Sequence, residues 1–348
     1  MIRFVFGLFL LLALVACSNS ESVFDSEQTR PGIANIMLLS SINGIGDNSY
    51  NDQILAGLFR FYEDRGVPFR LVQPESMNEA DSLVQAWLKE NVDTDSSLLI
   101  LASSAYAGLA QKLDIRFSGD GNKVLLFEAD SAGFPQDVYS FLIDRYGASY
   151  LSGAILGVGT AAVLAAAPGF ETLETSIEGF RAGYEAHKKE NDSVAVYYVS
   201  EKEGDESAFN DVESAYMATY TLIFSNFFGE THDLAIFPLL GGAIKGARRA
   251  VIDAPMGSFV IGMDVDQSEV LPKVPFSLTV DIKGIVVRYL QDWRSGHDWP
   301  RYRSFGLDDG GAAIVFNKEF DAIVETYEAR YKKYYDEAVR EEARHAKK

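Results

Sequence analysis

A single cysteine stands among 348 residues, and histidine occurs four times. One cysteine closes no intramolecular disulfide, so an exported form of this chain must draw its stability from its core. One cysteine and scattered histidines also supply no cluster for a metal site, and none is expected. Basic residues are in deficit, with 31 Lys and Arg against 50 Asp and Glu for a formal charge of −19. That balance argues against a nucleic-acid partner and against charge-driven adhesion to anionic lipid. No G-x-S-x-G, H-E-x-x-H or G-x-x-x-x-G-K-[ST] occurs, and Gly44-x-Gly46 lacks the third glycine of a dinucleotide loop. His187, His232, His297 and His345 fall in helical tails or turns rather than at strand ends. No enzymatic activity and no cofactor are expected.

Long apolar runs are scarce as well. Phe4 to Ala16 follows Arg3 and is too short for a permanent span, but it has the proportions of a secretory h-region. Leu14-Val15-Ala16-Cys17 then looks like a lipobox, with the lone cysteine at the acylated position. The alternative is an ordinary signal peptide with a chance cysteine. The expectation is a signal peptide over residues 1–16, lipidation of Cys17, and export with the mature chain held on the cell membrane by its acyl chains. Residues 17–32 are polar and read as a flexible tether.

What is present in quantity is core-forming sequence: 47% of residues are hydrophobic, enough for two domains at this length. Apolar β-rich runs at Ile33–Ser41, Pro68–Gln73, Leu98–Ala102, Val124–Phe127 and Tyr139–Ile143 alternate with helical periods such as Met77–Asn91. The alternation then repeats from Ala148 through a strand at Phe259–Met263. Runs without strict period-2 polarity indicate parallel strands buried on both faces. The predicted fold is α/β, two open parallel-sheet lobes joined by a hinge with a cleft between them. The expected division is 33–144 plus about 265–300 for lobe one, and 145–264 plus about 301–348 for lobe two. A tail that serves both lobes makes several crossovers, which is how a hinge is built. A final helix is expected from Lys318.

The segment Gly44–Gly57 falls between the first strand and the first helix, at the sheet edge where open α/β folds bind ligands. It carries a flat ring, Tyr50, between Asp47 and Asn51, a stacking face beside hydrogen-bonding groups. An Asp- and Asn-capped turn with a half-buried tyrosine is the plainer alternative. Ser103, Ser104 and Asp130 stand at further strand ends. Asp264 and Asp266 alternate, so one faces the cleft and the other caps or pairs; Asp264 is the cleft candidate. Lys283 opens a helix, where its charge opposes the macrodipole, which suggests a functional reason for it.

In order, Asp47-Asn48-Ser49-Tyr50-Asn51, Tyr150-Leu151-Ser152-Gly153, Gly179-Phe180-Arg181-Ala182-Gly183, Gly262-Met263-Asp264-Val265-Asp266-Gln267, Lys283 and Gly306-Leu307 match motifs of one family. Over roughly residues 33–316 the chain resembles the basic membrane protein family, the nucleoside-binding lipoproteins of ABC importers. The resemblance implies a type I periplasmic-binding fold, a monomer, a purine nucleoside in the cleft and an ABC permease as partner. It also implies stacking by Tyr50 and Phe180, a third ring at Phe209, a binding carboxylate at Asp264 and a ribose-side Lys283. Ser41 stands where the family carries an Asp about nine residues before the Tyr50 position, which removes a charge-assisted acceptor. A sensor that presents its closed form to a membrane receptor is the second reading, and a surface-anchored hydrolase the third.

Overall fold

The computed structural model describes residues 35–47, 49–91, 93–113, 117, 121–129, 133–157, 160–189, 192–227, 234–254, 257–270, 273–320 and 323–347. Cys17 and the segments expected as leader and tether lie outside the described residues, as does Asp130.

The first lobe is built from β1 (Asn35–Leu39), α1 (Tyr50–Arg65), β2 (Phe69–Val72), α2 (Met77–Asn91), β3 (Ser96–Leu101), the short α3 (Ala107–Ala110), β4 (Gly121–Phe127) and β5 (Val138–Ile143). Leu98 to Leu101 and Val124 to Phe127 are buried end to end, the price-free signature of strands covered on both faces. The second lobe follows with α4 (Tyr146–Leu156), β6 (Thr160–Ala165), α5 (Glu171–His187), β7 (Val194–Tyr198), α6 (Val212–Phe227), β8 (Leu234–Leu239), α7 (Ile244–Asp253) and β9 (Ser258–Val260). Its four strands are parallel in the order β7-β6-β8-β9.

The chain then returns. The run expected as one strand, Phe259–Met263, divides at Ile261, with β9 in the second sheet and β10 (Gly262–Asp264) in another. With β11 (Phe276–Val280) and, further on, β13 (Ala312–Phe316), β10 makes a small three-stranded sheet, β11 and β13 antiparallel. Between them, α8 (Ile282–Arg294) packs on α1, where a side chain at Gly57 would meet Val286 at 2.9 Å. Trp293 donates from Nε1 to Gly121 O at 2.7 Å, which fixes the other end of α8 to β4.

β12 (Tyr302–Phe305), expected with lobe two, instead pairs in parallel with β5 and completes the first sheet in the order β12-β5-β4-β3-β1-β2. Burial explains the placement: Phe305 is covered and packs edge-on to Phe141 at 5.9 Å. α9, expected from Lys318, runs from Ile323 to His345 and lies along α4. So the chain passes between the lobes three times: after β5, between β9 and α8, and after β12.

α4 is buried along its whole length, and it crosses α5 almost in backbone contact. A Cβ on Gly153 would stand 2.1 Å from Phe180 O, and one on Gly183 1.9 Å from Tyr150 O. Two of the sequence motifs, Tyr150-Leu-Ser-Gly153 and Gly179-Phe-Arg-Ala-Gly183, are therefore the two sides of one helix crossing. That decides the place of Phe180: it is 0% exposed and stacks on Phe237 at 4.3 Å in the core.

Candidate functional site

In the first sheet β1 lies between β2 and β3, and in the second β6 lies between β7 and β8. Each is a point where the strand order reverses and the loops at the carboxyl ends of adjacent strands part. A cleft of about 200 Å³ opens there between the lobes. Ser41 and Asn43 reach it from the end of β1, Ser103 and Ser104 from β3, and Gly241 and Gly242 from β8. Thr172, Leu173 and Ser176 enter from the first turns of α5, and Phe209 from the turn before α6.

Among the expected residues, Asp47, Tyr50, Asn51 and Asp264 line this cleft. Asp47 is an N-cap in function: its carboxylate accepts from the backbone N–H of Ser49 (2.9 Å), Asn51 (3.0 Å) and Asp52 (3.3 Å) and from Asn51 Nδ2 (2.9 Å). It thereby satisfies donors that the helix itself leaves open. Tyr50, on the first turn of α1, lays its ring toward the Arg145 guanidinium, 5.8 Å from the centroid. Its hydroxyl is buried beside the Glu128 carboxylate. Burial first, and then the Glu128 carboxylate, hold its proton well above the ordinary tyrosine range.

Two expected residues are elsewhere. Phe180 belongs to the α5–α4 packing described above rather than to the cleft, because the adjacent glycines bring the helix backbones together and turn the ring inward. Lys283 is exposed on the first turn of α8 and is not part of the cleft lining, since the buried face of that helix is turned to α1 by Ile282, Ile285 and Val286. Phe209 does line the cleft and meets Phe170 edge-on at 5.0 Å.

The sequence reading missed the charged wall. Glu128 follows β4 and Arg145 follows β5; Arg145 Nη2 stands 2.9 Å from Glu128 Oε1, with their side chains only 11% and 9% exposed. Ile143 N donates to Glu128 Oε2 at 3.1 Å, and Arg145 Nη1 donates to Ile143 O at 3.1 Å. Burial alone would lower the Arg145 pKa, but Glu128, Asp264 and Tyr50 together raise it. Asp264, at the end of β10, accepts from Ser49 Oγ at 2.9 Å. Burial raises its pKa, Arg145 and the Ser49 bond opposing. Its neighbour Asp266 points out and caps the backbone N–H of Ser268 at 3.0 Å. Glu128 and Asp264 both hold left-handed backbone, φ 56° and 65°, the two non-glycine residues with positive φ among those described. Such conformations persist where surrounding structure enforces them, commonly at ligand sites.

The lobes are closed on one another. Besides Ser49 and Asp264, Lys245 Nζ donates to Gly46 O at 2.9 Å and Asn210 Nδ2 to Asn43 Oδ1 at 3.3 Å. Among the described residues no group of three or more His, Cys, Asp or Glu is disposed to hold a metal ion.

Comparison of the whole chain with solved structures finds the same architecture many times over. The fold is that of the type I periplasmic binding proteins. A solute-binding protein of an ABC transporter from Aeropyrum pernix K1 aligns at TM-score 0.67 and 17% identity, over 90% of each chain. A transcriptional activator of the comK gene from Bacillus halodurans aligns at 0.64 and 16% identity, over 87% of this chain and 98% of the other. An arabinose-binding protein from Geobacillus stearothermophilus aligns at 0.59 and 16% identity, over 85% and 99%. No protein-family model and no curated protein matches the chain.

Proposed function

We propose that this protein is the substrate-binding lipoprotein of an ABC importer, exported and tethered through Cys17, which delivers a nucleoside or similar small polar ring to its permease. The observation that carries the reading is the cleft itself. It lies at the carboxyl edges of both sheets, is lined by an aromatic residue from each lobe in Tyr50 and Phe209, and adds amide, hydroxyl and carboxylate groups beside them. A flat polar ring satisfies both kinds of group at once, with the rings taking its faces and the polar groups its edge. The family resemblance supports a nucleoside, and the solute-binding proteins among the structural matches support delivery to a transporter. Opening and closing of the lobes about the three crossovers would load and release the ligand. A ligand sensor is the second reading, favoured by the activator among the same matches.

The test is calorimetric titration of nucleosides and small ring compounds, guided by mass spectrometry of whatever co-purifies. Tyr50→Ala is expected to weaken binding of the ligand so found by about 1–3 kcal/mol, the cost of a lost stacking face. Binding indistinguishable from wild type would put the site elsewhere.

A further inference from the structure

We propose that the ligand carries a positive charge, as a protonated amine or an amidinium-like ring, and that this charge meets Asp264 when the lobes close. The inference rests on the reading of the cleft as the ligand site and adds the charge class of its occupant.

The charges along the described lining residues are three carboxylates, Asp47, Glu128 and Asp264, and one cation, Arg145. They are not equally provided for. Asp47 has both oxygens occupied by N–H groups of its own helix start, where the helix dipole also compensates a negative charge. Glu128 has the guanidinium of Arg145 and a backbone N–H. Asp264 has the hydroxyl of Ser49 on one oxygen. Arg145 stands close enough to favour its charged form, yet that same guanidinium already answers Glu128, and one cation between two carboxylates leaves a net negative charge.

An unbalanced charge withdrawn from water is costly unless something opposite in sign approaches it. A neutral ligand offers at most a hydrogen bond, and an anionic one adds repulsion; a cation removes the imbalance. The remaining lining fits the same chemistry. Tyr50 and Phe209 both line the cleft, and an aromatic ring attracts a cation over its face as well as stacking a ring; the Arg145 guanidinium already lies 5.8 Å from the Tyr50 centroid. The Tyr50 hydroxyl is buried in the same wall beside Glu128 and Arg145, and its oxygen can accept from an ammonium or amidinium N–H.

The experiment uses the full-length protein in detergent at neutral pH and compares pairs that differ in charge: adenosine with 1-methyladenosine, which is a cation there, and glucose with glucosamine. Adenosine monophosphate is the anionic control. The charged member of a pair that binds is expected to bind about tenfold more tightly than its neutral partner, and the monophosphate not measurably. In Asp264→Asn the preference should vanish, the two members of the pair then binding with the same affinity. A neutral member that matches or exceeds its charged partner, or a preference that survives Asp264→Asn, overturns the inference and leaves the cleft as a ligand site. If none of these compounds binds, the small-ring reading of the cleft falls and the inference with it.

Discussion

Asp264 on the cleft wall and Glu342 on α9 are both carboxylates recessed from bulk water, and they are held quite differently. Glu342 accepts from Gly147 N at 3.0 Å and Leu307 N at 2.9 Å, one bond to each oxygen. It thus joins α9 to the start of α4 and to the turn after β12, two of the three places where the chain changes lobe. There is no spare room around it. A Cβ on Gly147 would stand 2.4 Å from Oε2, and one on Gly306 2.2 Å from Oε1. Asp264, at the other crossover, has a single hydroxyl, left-handed backbone and about 200 Å³ of open cleft in front of it. A carboxylate enclosed by backbone donors on a packed surface is architecture, and its loss should be read in stability. A carboxylate left facing a cavity is provision for a partner, and its loss should be read in binding.

The packed side of that contrast is tested most severely at Gly183. Its missing side chain lets α5 touch the carbonyl of Tyr150, and a methyl group placed 1.9 Å from that oxygen must force the helices apart. Gly183→Ala is expected to cost about 3 kcal/mol in denaturant unfolding, at the upper end for overpacking. The folded fraction should bind ligand as wild type does. A variant that keeps its stability but loses ligand would make the α4–α5 crossing part of the site.

Next in size is Glu342→Gln. An amide offers one acceptor oxygen, so either Gly147 or Leu307 loses its partner and a buried N–H faces an NH₂ group. The expected loss is about 2 kcal/mol. The pH dependence is a sharper readout. Burial, and then Asp144 and Asp309, push the Glu342 pKa up from 4.5 to about 7, against the two backbone bonds that lower it. A carboxyl raised in the folded state binds protons more tightly there than in the unfolded chain. Its contribution is therefore fully present below about 4.5 and fades as pH rises through about 7. His345 sits close by, stacked on Tyr146 at 4.2 Å and 3.5 Å from Glu178. Melting temperatures across this range should fall less steeply in Glu342→Gln than in wild type, and equal slopes would show that Glu342 is not the source of the pH dependence.

These two regions were not equally visible in the sequence. Strands such as Leu98–Ala102 announced themselves because a parallel strand covered on both faces reads as an unbroken apolar run. Tyr302–Phe305 did not reveal its sheet, since four residues carry no mark of the strand they will pair with. Asp47, Tyr50, Asn51 and Asp264 were found by position, each at a strand end or helix start. Glu128 and Arg145 were not found: they are 17 residues apart and meet only because β4 and β5 are neighbours, Phe127 opposite Phe141. The signal in the sequence is a charged residue at the end of each buried run, Glu128 directly after β4 and Arg145 two residues after β5. Phe180 misled for a physical reason. A glycine on either side of an aromatic suits a ring approached by a ligand, and it equally suits two helices approached by each other; one chain without its partner helix does not distinguish them.

The smallest change tests the contrast most finely. Tyr50→Phe removes one oxygen atom from the cleft wall. That hydroxyl is buried with only the Glu128 carboxylate beside it, whereas Glu342 holds two backbone donors, so little in the fold is lost with it. A buried hydroxyl with one such neighbour returns about what its desolvation costs, and stability should stay within about 1 kcal/mol of wild type. The ring remains, 5.8 Å from the Arg145 guanidinium, so binding should fall by no more than about 0.5–1.5 kcal/mol, the worth of one hydrogen bond. Melting curves without ligand and titrations with it give the two numbers separately. If instead Tyr50→Phe unfolds the free protein as Gly183→Ala does while leaving affinity untouched, the hydroxyl belongs to the packing, and this wall of the cleft is built on the same terms as the α4–α9 contact.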